Sequence, residues 1–426
     1  MRKSLTYAVT SLILTACAQN KDSVFQRMVF EPEHVSMTRT LDEALLIAQK
    51  VSDILDVTCT RSATRNVDRN NVHCLTQMDT RTSSGVDTLL YVTNYADEAG
   101  FAVVSANKST NPLLAVVEEG TYETDTDNEG FASFMTMAEE YVSTTSVPLL
   151  PVPGFGETIK EFKYTYDTIT TQVPPLVATR WGQTGPESQY TSNGYFGCTI
   201  TAMAQVMSYF AYPKQLTITY PGASINSLTL DWDAIKLHNI SHSYLTCTAT
   251  DATHDAIGHL CRQLGHLAES KYLVNGTETY INKSVSAFRN LGFTTSDYVV
   301  YDADNLFMAL DACNPSIAYG AHYDTDADSV VTAHSWIVDG YLSYKVTRKF
   351  WTRETTSFDW VCEDTYTYYT KYFHYNWGWN GKCNGYFLVD IFAPNRGYRY
   401  DNEEGWYENT SSWNFNYNVH YSSVSL

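Results

Sequence analysis

The sequence predicts an α+β protein built from more than one domain. Three observations carry that prediction. The chain has 426 residues, enough for two or three domains of ordinary size. Its apolar residues recur with helical spacing in some stretches and as short strand-length runs in others, with strands taking over after about residue 315. Tyrosine occurs 32 times, a composition suited to half-buried sheet surfaces.

The chain opens on Met1-Arg2-Lys3 and a short apolar run, Tyr7 to Ala16, too short to cross a bilayer and shaped like an export signal. The run ends in Leu14-Thr15-Ala16-Cys17, which resembles a bacterial lipobox. Residues 1–17 therefore read as a lipoprotein signal peptide with Cys17 as the lipidated residue, whose acyl chains would anchor the protein at the cell envelope. Residues 40–55 have helical spacing, with Thr40 or Asp42 as cap. The polar residues 60–71 read as a loop, and three apolar runs at 88–96, 100–108 and 112–120 as antiparallel strands. Residues 130–145 return to helical spacing. Pro- and Gly-rich residues 146–157 mark a boundary region, giving an N-terminal unit 18–165 and a second unit 166–426.

The second unit opens on a loop, residues 177–197, followed by a helix that starts at Cys198 and must stop before Pro213. Further helices begin near residues 254, 281 and 302, and strand-length runs begin at 315, 335, 371 and 385. Helices first and strands afterwards predict a helical half and an antiparallel sheet half.

Composition narrows the function. The net charge is −19 with no run of Lys and Arg, which argues against nucleic acid as a partner. Nine cysteines occur without a Cys-x-x-Cys pair, which argues against zinc. Cys59 with Cys74, Cys247 with Cys261 and Cys362 with Cys383 could pair in an oxidising compartment. Two acidic loops, 125–130 and 324–329, lack the combined glycine and closing glutamate of a calcium loop and read as solvated. No metal or cofactor is expected.

Cys198 follows Gly197 at the start of an apolar helix, where unpaired backbone N–H groups and the macrodipole favour a thiolate. A cysteine so placed is more often mere packing, so a nucleophile needs partners. Of eleven histidines, His334 in "TAHSWIVDGY" stands at the start of an apolar strand and suits a rigidly held base; His322 is its nearest rival. Asn376 in "FHYNWGWNG" could accept from the imidazole Nδ1–H and fix one tautomer, with Trp377 covering that bond. Gln183 in "RWGQTGP" and the Cys198 backbone N–H could hold an oxyanion. His334 follows Cys198 by 136 residues, inside the spacing of about 130–150 found in papain-like proteases. Their Cys-Gly-Ser-Cys-Trp signature is missing.

The stretches "WGQTGP", "GCTITAMAQVMSYFAYP", "AHSWIVDGY" and "FHYNWGWNGKCNGYF" together resemble the streptopain, or C10, family of cysteine peptidases, in the family's order and over most of residues 180–390. The resemblance implies a papain-like fold, with Cys198 as nucleophile, His334 as general base, Gln183 in the oxyanion site, and Asn376 and Trp377 orienting the histidine. "GFAVVSANKSTNPLLAVVEEG" resembles the family's inhibitory prodomain, related to the Spi inhibitor. That implies a zymogen with its own prodomain as intramolecular inhibitor, and protein or peptide substrates with a hydrophobic residue two positions before the scissile bond. Four features depart from the family: Thr199-Ile200-Thr201-Ala202 stands where Val-Ala-Thr-Ala is usual, Ala333 replaces a glycine, an insertion between Gly340 and Tyr372 is expected to form an extended hairpin at the cleft edge, and the tail 395–421 is divergent. The expected function is an exported cysteine endopeptidase; the alternative is a catalytically weak surface binding or inhibitor protein on the same fold.

Overall fold

The computed structural model describes residues 38–58, 65–78, 86–145, 158–184, 186–237, 251–274, 276–324, 329–354, 356–357, 359–392, 398–401, 405–408 and 417–426. Cys17, Cys59, Cys247, residues 146–157 and most of the 324–329 loop lie outside them.

The N-terminal part begins with helix α1 (Leu41–Thr58). Thr40 and Glu43 form a reciprocal capping box, with Thr40 N donating to Glu43 at 2.7 Å and Glu43 N to Thr40 Oγ1 at 3.2 Å. Strands β1 (Val67–Met78), β2 (Val86–Tyr95), β3 (Phe101–Ser105) and β4 (Leu113–Val117) then form an antiparallel meander. Three of them match the sequence expectation. β1 does not, because its polar residues lack alternation and it is held as an edge strand by its ladder with β2. Helix α2 (Glu129–Thr144) follows, and Asn128 caps it by accepting from Phe131 N at 3.1 Å. Strand β5 (Thr158–Val173) was also missed, and it runs straight through residues 165 and 166, where the boundary was expected.

The helical half holds α3 (Cys198–Phe210), the ribbon β6 (Gln215–Thr217) with β7 (Ser227–Thr229), α4 (Trp232–Leu237), α5 (Asp251–Leu267), the ribbon β8 (Lys271–Leu273) with β9 (Gly276–Glu278), and α6 (Ile281–Asn290). Short strands β10 (Thr294–Thr295) and β11 (Val299–Val300) and helix α7 (Ala303–Asp311) lead to the sheet half. It consists of β12 (Ser316–Asp324), β13 (Ser329–Glu354), β14 (Val361–Asn376), β15 (Gly385–Leu388) and β18 (Tyr417–Ser425), with β16 (Tyr398–Asp401) and β17 (Gly405–Glu408) forming a separate hairpin.

The meander and the sheet half are one continuous sheet, in the order β1-β2-β3-β4-β15-β14-β13-β12-β18-β10, with β5 on β13 and β11 on β18. The junction is the β4–β15 ladder, where Val117 faces Gly385 and Ala115 faces Phe387. One apolar cluster spreads over this sheet beneath α1, α2 and α7, and includes Phe131, Phe134, Trp336, Trp377 and Phe387. A second surrounds α3 and includes Ile200, Met203, Met207, Leu260, Leu264 and Phe288. These are the expected sheet and helical halves. The insertion does form an extended β13–β14 hairpin, but its contacts run to β5 along its length and to α1, where Tyr344 OH donates to Val51 O at 3.4 Å. Cys362 and Cys383 are both free thiols, so that proposed disulfide does not form; Cys74 is free as well.

Candidate active site

The two halves meet where α3 abuts β13. Gly197 enters α3 at φ +88°, and a Cβ there would come within 2.9 Å of Thr277 O, so only glycine fits that turn. Cys198 is the first residue of α3 and half-buried. The helix ends on Ala211 in the left-handed conformation, two residues before Pro213, as the proline requires. His334 lies within β13, opposite Gly320 of β12, and is 1% exposed. Its Nε2 is 2.8 Å from Trp377 O. A carbonyl can only accept, so Nε2 carries the proton and Nδ1 is left as the base. Nδ1 holds no aligned hydrogen bond, and the group coupled to it is the Cys198 thiol.

Burial alone would push the thiol up and the imidazole down. The pair overrides burial: His334 and the Ser335 N–H hold the Cys198 thiol below its ordinary value. In turn, Cys198 and the Trp377 carbonyl hold His334 above its own. The site therefore favours a thiolate beside an imidazolium.

The other expected residues gather here in different roles. Asn376 does not accept from His334, contrary to the expectation. Its Nδ2 donates to Thr179 O at 2.9 Å and to Gln205 Oε1 at 3.4 Å, and its Oδ1 accepts from Gly378 N at 3.1 Å. The side chain is fully used in tying the strand end to α3, so the ring takes the next acceptor along the chain, the Trp377 carbonyl. Trp377 thus orients His334 through its backbone, while its indole donates to Cys383 O at 3.0 Å. The Gln183 loop is bolted against the start of α3. Gln183 O accepts from Phe196 N at 2.8 Å, Trp181 N donates to Gln205 Oε1 at 2.8 Å, and Gly182 lies flat on Asn380. His322 sits opposite Thr332 in the β12–β13 ladder, and His259 is structural, with Nδ1 2.7 Å from Tyr220 OH. Among the described residues no cluster of His, Cys, Asp or Glu could hold a metal ion. Sequence reasoning missed Ser335, whose backbone faces the thiol, and Trp379, whose ring meets His334 edge-on at 6.0 Å.

Residues 178–387 match the family model described as the peptidase C10 family, and residues 33–142 match the Spi protease inhibitor. The chain belongs to the peptidase C10 family. Among solved structures it is similar to a fragment of Prevotella intermedia prointerpain A, at 23% identity over 83% of this chain and 98% of that one, with a TM-score of 0.48. No curated protein matches the chain.

In this C10 peptidase the Spi-like unit seats on the imidazole side of the pair, over His334 and Trp377. The start of α2 lies on the rings: a Cβ on Gly130 would fall 2.5 Å from His334 Cδ2 and 2.5 Å from Trp377 Cε3. Asp127 accepts from the Trp379 indole at 3.0 Å and Asn128 Nδ2 donates to Lys382 O at 3.3 Å. The acidic loop 125–130, expected to be solvated, is thus a docking loop that carries the cap of α2. Its composition gave no sign of this, because the partners are far away in the chain.

A second contact is ionic. Glu118, just past β4, approaches His374 Nε2 at 3.7 Å, and His374 Nδ1 bonds Asp339 at 2.6 Å. Burial opposes charge on this ring, but Asp339 and then Glu118 outweigh it and push His374 up to about 9. Arg180 pairs with Glu119 at 2.9 Å beside it.

Proposed function

We propose that the protein is an exported cysteine endopeptidase made as a zymogen. The observation that carries the reading is the coupled pair of Cys198 and His334, with the imidazole proton fixed on Nε2 by Trp377 O. The thiolate attacks a peptide carbonyl, forming the C–S bond. Gln183 and the Cys198 backbone N–H hold the resulting oxyanion. His334 Nδ1–H then gives its proton to the leaving amine as the C–N bond breaks, and an acyl-enzyme remains. Water enters, loses its proton to Nδ1, and attacks the acyl carbon. The acid departs and the thiol is restored.

The Spi-like unit is the intramolecular inhibitor. Gly130 and Asp127 close over the pair, and the tether keeps the local concentration of the unit high, so modest contacts suffice. Residues 1–17 direct export and Cys17 carries the lipid anchor at the cell envelope; cutting between the units frees the catalytic part from the membrane. Cys198→Ala is the direct test. The purified full chain should neither process itself nor cleave casein, and an epoxysuccinyl thiol reagent should label the native chain at Cys198 alone. Casein cleavage that persists in the alanine variant overturns the assignment.

A further inference from the structure

Thr199 directly follows the thiol and Ser335 directly follows the imidazole, and both are buried, at 2% and 0% exposure. Their hydroxyls are 2.8 Å apart, and Thr199 Oγ1 also lies 3.3 Å from Thr279 O, which can only accept. One arrangement satisfies every proton: Ser335 O–H donates to Thr199 Oγ1, and Thr199 O–H donates to Thr279 O. The chain of bonds joins the start of α3, strand β13 and the end of the β8–β9 ribbon. Neither hydroxyl reaches water, so neither has a solvent substitute for its partner. Two features make the link consequential. The Ser335 backbone N–H is one of the groups that hold the Cys198 thiol below its ordinary value, and the Thr199–Ser335 bond fixes the spacing between α3 and β13 beside it. The same ribbon lies close on Gly197 at Thr277, where a Cβ would come within 2.9 Å of Thr277 O. Thr199 also occupies one of the places where the chain departs from the usual C10 valine.

We infer that Thr199 and Ser335 act as one positioning pair, locking the cysteine helix to the histidine strand so that the Ser335 N–H stays aimed at the Cys198 sulfur. The inference rests on the reading of Cys198 as the nucleophile. Neither hydroxyl touches substrate. Their effect is to hold the thiolate's second donor in place, and losing the hydroxyl link raises the pH at which the thiolate forms.

The test is the pH dependence of iodoacetamide alkylation at Cys198 in the full chain, located by mass spectrometry. Iodoacetamide is small enough to suit a half-buried residue such as Cys198. Thr199→Val keeps the volume and removes the hydroxyl. It should raise the inflection by about one pH unit, which lowers the rate on the acid side about tenfold. Thr199→Ser should behave as the native chain, Ser335→Ala should reproduce the valine effect, and the double variant should add nothing further. A merely structural role would reduce the folded fraction without moving the inflection. An unmoved inflection in Thr199→Val, or shifts that simply add in the double variant, overturns the pair. If Thr199→Val does not fold, Ser335→Ala decides alone on the same readout. A native chain whose Cys198 titrates as an ordinary thiol instead overturns the nucleophile itself.

Discussion

Replacing Gly130 with alanine should unlatch the zymogen. The added methyl would sit 2.5 Å from His334 Cδ2 and 2.5 and 2.9 Å from two carbons of the Trp377 ring, against about 3.4 Å or more for ordinary contact. Neither ring can yield. Trp377 is fully buried and held through Nε1 to Cys383 O and through its backbone N to Asn384, both at 3.0 Å, and His334 is pinned by its Nε2. The start of α2 must therefore lift, although Phe134 anchors it on Phe387 with ring centres 4.7 Å apart. Overpacking of this kind costs about 1–3 kcal/mol, which is roughly a 5- to 150-fold weaker docking of the inhibitor unit. Alanine is also a better helix former than glycine by about 1 kcal/mol, so a loosened α2 would not reflect a weakened helix. The assay is hydrolysis of a fluorogenic peptide by freshly purified, unprocessed chain, together with the rate of its self-processing. Both should rise, and the melting temperature of the covered form should fall. A Gly130→Ala chain as latent as the native one, processed at the same rate, would refute the idea that the start of α2 closes the site.

Asn376→Ala should cost about 1–3 kcal/mol of stability, since it strips bonds from Thr179 O and Gly378 N, yet leave the pH profile of turnover in place; a displaced profile would restore the tautomer-fixing role. In the matured enzyme kcat/KM should follow a bell, because activity needs the thiolate and the imidazolium together. The acid limb should lie below the ordinary thiol value and the alkaline limb above the ordinary imidazole value, and a single ionisation would contradict the pairing. His374 is raised from 6.5 to about 9, so its contribution is complete below 6.5 and fades as pH rises through 9, a loss of up to about 3 kcal/mol. Melting temperatures should fall over that window in the native chain and not in His374→Gln. The maturation cut should spare residues 158–173, whose backbone is laddered onto β13 from Thr158 opposite Glu354 to Val173 opposite Tyr341. N-terminal sequencing of the processed protein checks this.

The segments with strong periodicity were legible in the sequence. The runs at 88–96, 100–108 and 112–120 became β2, β3 and β4, and the helix from Cys198 stops where Pro213 demands. β1 and β5 were not legible. "VDRNNVHCLTQM" and "TIKEFKYTYDTITTQV" draw their order from partners distant in sequence rather than from their own patterning. At the site, the meeting of Cys198 with His334 was readable because each stands in a motif with a chemical reason. The role given to Asn376 failed because side-chain acceptors and backbone acceptors look alike in a sequence: which of two adjacent residues meets Nε2 depends on the tilt of one turn. The docking role of Asp127 and Gly130 was hidden for a similar reason, since Trp379 lies 252 residues beyond Asp127 and His334 is likewise far along the chain from Gly130.

The kind of latency also follows from which atoms the inhibitor unit touches. Besides the His334 ring and the Glu118–His374 and Glu119–Arg180 pairs, its contacts fall on the turn after β14, at Trp377, Trp379 and Lys382, and on the strand that follows, β15. That turn supplies the carbonyl that fixes the proton on His334. The covering unit therefore braces the support of the base instead of pulling it away, and the thiol and imidazole remain coupled beneath it. On the proposed function, latency of this sort would be steric, with substrates excluded while the thiol and imidazole stay paired. A cover that worked by dismantling the pair would leave Cys198 with ordinary thiol reactivity until processing. A steric cover leaves the thiol already activated, so small alkylating reagents should modify Cys198 in the unprocessed chain at the rate of an activated thiol while casein remains uncut. Equal slowness toward both would mean that processing builds the site as well as opening it.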